Sequence, residues 1–163
     1  MKGVSCMINP KHLEQLRQFI NSDNWPLDID DWPYEVNSKT NCLAFALGLP
    51  YPDMHCSLFT TKSYPLSDAK TLLEIFLKEL NLNFRKINSI EEAHLDEYIL
   101  QVYEHKFVSS KYFHIIRRNL DGRWVHKPGW NCGPCEITFE EFFHRTNPKS
   151  SISVTFAVKK MES

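Results

Sequence analysis

The sequence predicts an α+β fold in which helices pack on one side of a mostly antiparallel sheet. Three observations carry that reading. Apolar residues recur at helical spacing through the first half of the chain. They recur at strand spacing through the second half. Turn and cap residues separate the segments, and no repeat or low-complexity tract interrupts them. At 163 residues, 42% of them hydrophobic, one domain spanning 1–163 with a real core is expected.

The elements follow in order. Asn9 caps and Pro10 opens a helix to about Asn21, with Leu13, Leu16, Phe19 and Ile20 on one face. Trp25 to Asn37 is rich in Pro, Asp and Trp and reads as an ordered loop. Thr40 to Leu47 reads as a short helix stopped by Gly48 and Pro50. Its core, Cys-Leu-Ala-Phe-Ala-Leu, is apolar all round, which predicts a buried helix. Ser67 caps a third helix to about Leu80, with Ala69, Leu72, Leu73, Phe76 and Leu80 as its stripe. Strands are expected at Asn83 to Ile87, Tyr98 to Glu104, Tyr112 to Asn119, Arg123 to Lys127 and Ile152 to Lys159. Ser89 to His94 reads as a helical turn. Thr138 and Glu141 form a capping-box pattern for one more helix, Phe139 to His144.

Nineteen basic and twenty acidic residues give a net charge of -1, so no basic surplus points to nucleic acid. No apolar run reaches the length of a membrane span, and the first ten residues lack the apolar core of a signal peptide. The five cysteines, Cys6, Cys42, Cys56, Cys132 and Cys135, are an odd count. With no signal, they point to a reducing compartment and free thiols. The expected location is cytoplasmic, or outside the cell by a route without a conventional signal peptide.

Cys42 follows Ser38, Thr40 and Asn41, all good cap types, and so falls in the first turn of its helix. Unpaired backbone N–H groups and the positive end of the helix dipole favour a thiolate there. The same groups can bind an oxyanion. The plain alternative is a small core thiol. A nucleophilic thiol needs a base. Of the seven histidines, His12, His55, His94, His105 and His144 read as surface groups, whereas His114 and His126 fall inside strand patterns.

The turn between those strands decides whether the two imidazoles meet. A three-residue loop, Leu120-Asp121-Gly122, with Gly122 in the left-handed region, pairs Arg123 with Asn119 and makes His126 face Ile116. His114 and His126 then share a face. A two-residue Asp121-Gly122 turn puts them on opposite faces. The sequence permits both.

Asn41-Cys42-Leu43-Ala44-Phe45-Ala46-Leu47 and the hairpin Tyr112-Phe113-His114…Gly122-Arg123-Trp124-Val125-His126-Lys127-Pro128-Gly129 resemble the papain-like cysteine hydrolases. They are most similar to NlpC-type amidohydrolases and to uncharacterised phage and bacterial relatives with a Trp-x-His-Lys-Pro-Gly strand. The resemblance implies a papain-like, NlpC-like fold with the nucleophile at the N-terminus of a buried helix. It implies Cys42 as nucleophile, His114 as base and His126 as the group orienting that base. It departs at the nucleophile, whose neighbours are Asn41 and Leu43-Ala44 where the NlpC type usually has Asp before and Ser-Gly after.

The implied activity is hydrolysis of an amide through a thioester acyl-enzyme, on a peptide or protein substrate, with no cofactor. Asn41 and Asn37 are the candidate side-chain donors to the oxyanion, and Trp124 and Trp130 candidate walls of a substrate groove. Deamidation and acyl transfer would use the same machinery. The rival classes are a non-catalytic binding module on the same fold and a thiol–disulfide protein using Cys132-Gly133-Pro134-Cys135. That dithiol is also half of a tetrahedral zinc site. No recognisable motif supplies the other half, so no metal is expected and the plain reading is a tight loop.

Overall fold

The computed structural model describes residues 10–36, 42–50, 69–106, 111–128, 132–137 and 150–161. It is an α+β arrangement of short helices on an antiparallel sheet. The helices are α1 (Pro10–Ile20), α2 (Cys42–Ala46) and α3 (Ala69–Glu79). The strands are β1 (Leu82–Lys86), β2 (Tyr98–Lys106), β3 (Lys111–Arg118), β4 (Trp124–His126), β5 (Cys135–Glu136) and β6 (Ser150–Lys160). They lie in the order β1-β6-β2-β3-β4-β5 with every neighbouring pair antiparallel. The expected helix at 139–144 and the caps Asn9 and Ser67 lie outside the described residues.

The three helices among the described residues pack on one face of the sheet. Leu13, Leu16 and Ile20 of α1, Leu43, Ala44 and Ala46 of α2, and Leu73, Phe76 and Leu77 of α3 meet Leu100, Val102, Ile115, Val154, Phe156 and Val158. Of the stripes read from helical spacing, Leu13, Leu16 and Ile20 of α1 and Leu73, Phe76 and Leu80 at and after α3 are buried, and Phe19 is partly buried. Arg17 of α1 donates from Nε to the carbonyl of Glu79 at 2.7 Å, satisfying an orphan carbonyl at the end of α3. Asn81, at φ 56°, takes the left-handed conformation that turns the chain into β1.

The other face is covered more thinly, and this cover was not foreseen. Ile99, Tyr103, Ile116, Trp124 and Ile137 form a second apolar cluster, with Ile90 and Ala93 packed against it. Ile90 belongs to a 3₁₀ turn, Ile90–Glu92, closed by a Ser89/Glu92 capping box. The loop after α1 contains two further 3₁₀ turns, Ile29–Asp31 and Tyr34–Val36, and Trp32 packs edge-on to Phe45 of α2. Along β6, Val154 faces Val102 but Ile152 faces Tyr103, so Ser153 is the extra residue of a bulge.

Candidate functional site

The site begins with the β3–β4 hairpin. Asn119 donates its N–H to the carbonyl of Arg123 at 2.8 Å, and Gly122 donates to the carbonyl of Asn119 at 3.0 Å. Gly122 has φ +90°, the left-handed value required by a three-residue loop. Asp121 accepts from the N–H of Arg123 at 3.0 Å and from its Nε at 2.7 Å. Those bonds hold its carboxyl below the ordinary range. Arg117 pairs with Val125 and Arg118 with Trp124, a register that sets His126 against Ile116. The odd-length loop is the one the chain adopts.

That register brings the two imidazoles together. Nε2 of His114 lies 2.8 Å from Nδ1 of His126, with the rings nearly perpendicular at 76°. One of the two nitrogens must carry the shared proton, and which one depends on the tautomer pair.

Cys42 is the first residue of α2 and is half-buried, while Leu43 to Ala46 are fully buried behind it. Thr40 and Asn41, expected to begin this helix, lie outside the described residues. Unpaired N–H groups in a first helical turn are available to an anion. The far end of α2 is held firmly. Leu49 donates to the carbonyl of Ala44 and Gly48 to that of Phe45, both at 2.9 Å, which is a Schellman closure with Gly48 at φ +71°. A Cβ on Gly48 would fall 2.3 Å from Cβ of Pro26. Trp25 donates from Nε1 to the carbonyl of Leu47 at 2.7 Å.

Arg117 completes this clamp, and sequence reasoning missed it. Only 1% exposed, it donates from Nη1 to the carbonyl of Phe45 at 2.8 Å and from Nη2 to that of Leu27 at 3.0 Å. Its Nε donates to Asn119, which donates in turn to Asp28. Burial lowers its pKa to about 10, opposed by the nearby charge of Asp28 and by Tyr98. The guanidinium also stacks 4.7 Å from the centre of the Phe45 ring. Lys127, fully buried, was missed as well. It alternates onto the same face as Val125, which packs with Phe45 and Trp32.

Strand alternation then constrains the site as a whole. Ile115, Arg117 and Val125 face α2. Ile116 and Trp124 face the second cluster on the other side of the sheet. His114 and His126 share the parity of Ile116 and Trp124 and so project from that other side. The structure brings the two histidines together. It sets the body of α2 on the opposite face from both rings.

Trp124, read as a groove wall, is 7% exposed and is a packing residue of the second cluster. Asn37, Asn41 and Trp130 lie outside the described residues, as do Cys6 and Cys56. Cys132 and Cys135 are both exposed. Cys135 is not in a loop: it enters β5 directly opposite His126. A shallow cleft of about 250 Å³ lies at the turn end of the hairpin, away from the imidazoles, between Pro26, Asp28, Tyr98 and Asn119. Among the described residues no helix is long and apolar enough to cross a membrane, and no cluster of three potential metal ligands occurs. No family model, no curated protein and no solved structure matches this chain.

Proposed function

We propose that this chain is a cysteine-dependent hydrolase of the papain-like, NlpC-like type that cleaves an amide bond in a peptide or protein. The observation that carries the reading is the 2.8 Å contact between Nε2 of His114 and Nδ1 of His126. A histidine whose Nε2 is held by a second imidazole is oriented to use Nδ1 as a base. A half-buried thiol at the head of a helix, with the helix end locked by Arg117 and Gly48, supplies the nucleophile.

In this mechanism His114 takes the proton of Cys42 and the thiolate attacks the carbonyl carbon. The oxyanion rests on the N–H of Cys42, with Asn41 or Asn37 as side-chain donor. The amine leaves with the proton from His114, and a thioester remains. Water, deprotonated by the same imidazole, releases the acid and frees Cys42. An amine in place of water would give acyl transfer, and a side-chain amide as substrate would make the reaction a deamidation.

A second reading is a binding module on the same fold, with Cys42 as packing. Strand alternation favours it, because the rings project away from the body of α2. For catalysis the Cys42 sulfur must reach round the flank of β3 beyond His126, where β4 ends. Mass-mapped labelling with limiting iodoacetamide separates the two readings. The hydrolase requires fast labelling of Cys42 that slows sharply in His114→Ala. Labelling of Cys42 that is slow and indifferent to His114 leaves the binding module.

A further inference from the structure

His126 and Cys135 are directly opposed across β4 and β5. Opposed residues share a face, with Cβ atoms about 4.5–5.5 Å apart. The face is the one bearing the imidazoles, because Ile137, two residues beyond Cys135, packs with Trp124, two residues before His126. Cys135, His126 and His114 therefore form a row across β5, β4 and β3. Cys132 lies three residues before Cys135, and both residues are exposed. β5 is the outermost of the described strands, so among them the row begins at the sheet's edge.

We propose that Cys132 and Cys135 form a thiol–disulfide exchange site on this edge, with His126 as proton acceptor for Cys135 and a low-molecular-weight disulfide as its partner. The site does not use the Cys42 thiol. His126 takes the Cys135 proton, and the thiolate attacks one sulfur of the disulfide RSSR. The S–S bond breaks, RS⁻ leaves and collects that proton, and a mixed disulfide remains on Cys135. The thiolate of Cys132 then attacks the Cys135 sulfur and expels the second RS⁻, which takes the Cys132 proton. Two protein thiols are oxidised to one disulfide while RSSR is reduced to two RSH.

The imidazole pair explains why Cys135 attacks first. With Nδ1–H of His126 donating to Nε2 of His114, Nε2 of His126 carries the lone pair that accepts the thiol proton. The hydrolase uses the reverse tautomers, in which His114 donates and His126 accepts. The pair thus serves one thiol at a time.

The test treats the full chain with oxidised glutathione and maps the products by mass. The intact chain should end with an internal Cys132–Cys135 disulfide, and Cys132→Ser should stop with glutathione on Cys135. Cys135→Ser should react at Cys132 about threefold more slowly at pH 7, because a larger thiolate fraction is partly offset by weaker nucleophilicity. His126→Gln should raise the midpoint of the pH–rate curve for Cys135 toward the ordinary thiol value of about 8.5. An unchanged midpoint overturns the proposal, as does faster reaction at Cys132 in Cys135→Ser than at Cys135 in Cys132→Ser. The two serine variants alter exposed positions and stand even if the His126 variant does not fold. One zinc per purified chain that blocks exchange would also overturn it. Cys42→Ser, which removes the hydrolase nucleophile, should still yield the internal Cys132–Cys135 disulfide, and glutathione on Cys135 when combined with Cys132→Ser, so failure here and failure of the hydrolase are separable.

Discussion

Arg117 reaches from β3 through the core to the carbonyl of Phe45, at the last turn of the helix that Cys42 begins. A buried cation is expensive to desolvate, and here two backbone carbonyls and Asn119 offset the cost. Arg117→Leu should lose about 3–5 kcal/mol of stability, the size expected when one member of a buried charged network is removed. Arg117→Lys should recover little, because an ammonium cannot present the same fork of donors. Urea unfolding curves of the three proteins check both statements.

Two glycines with left-handed backbones separate conformational from steric cost. Gly122 has open space where a Cβ would go, and Gly48 has Pro26 there. Gly122→Ala should cost about 1 kcal/mol, the penalty of the left-handed region for an L-residue. Gly48→Ala should cost at least about 2 kcal/mol, the same penalty plus overpacking against Pro26. Thermal unfolding distinguishes them, with the larger drop in Tm at position 48.

Acid should weaken the fold through Glu97. Hydrogen bonds from Arg85 at 2.8 and 3.1 Å, and one from the N–H of His94, bring its pKa down to about 2 against the cost of burial. A carboxylate depressed in the folded state contributes stability above its unfolded pKa and loses it as pH falls through the folded one. The contribution is therefore complete above about pH 4.3 and disappears toward pH 2. Glu97→Gln should flatten the stability–pH curve across that window, read by urea midpoints between pH 2 and 6. Because the Arg85 end is half-exposed, the change should be about 1 kcal/mol.

The shared proton between the histidines has a direct readout. Nitrogen-15 spectra of the imidazole side chains assign the tautomers at neutral pH. A proton on Nε2 of His114 matches the hydrolase, and a proton on Nδ1 of His126 matches the edge thiol. Oxidation of Cys132 and Cys135 should shift the population toward the first form, since it removes the thiol that His126 serves. Unchanged spectra on oxidation would separate the imidazole pair from the dithiol.

Much of this was legible in the residues. Gly122 is the one loop position suited to a left-handed backbone in a three-residue turn, and the His114–His126 pairing follows from that parity. The stripes of α1 and α3 were legible because each is one-sided, whereas α2 is apolar all round. The side of the sheet on which α2 packs was not legible. Ile115 and Ile116 are both apolar and both buried, so alternation in β3 offers no polar face to break the tie. Arg117 and Arg118 are equally ambiguous in sequence, and only packing selects Arg117 as the interior one. β5 is two residues long, too short for a period, and its position comes from pairing with β4. The neighbour of His126 was hidden for that reason.

β6 lies between β1 and β2, yet it follows both by more than forty residues in the chain. During synthesis the helix layer and β1 emerge first, and β1 has no strand to join until residues 150–160 arrive. The hairpin of β2 and β3 can close early because its partners are near in sequence. Folding should therefore run in two stages, with the histidine hairpin formed first. The nascent chain then holds an unsatisfied edge of β2 until β6 slides in, and that interval is when it most needs protection from pairing with another copy of itself.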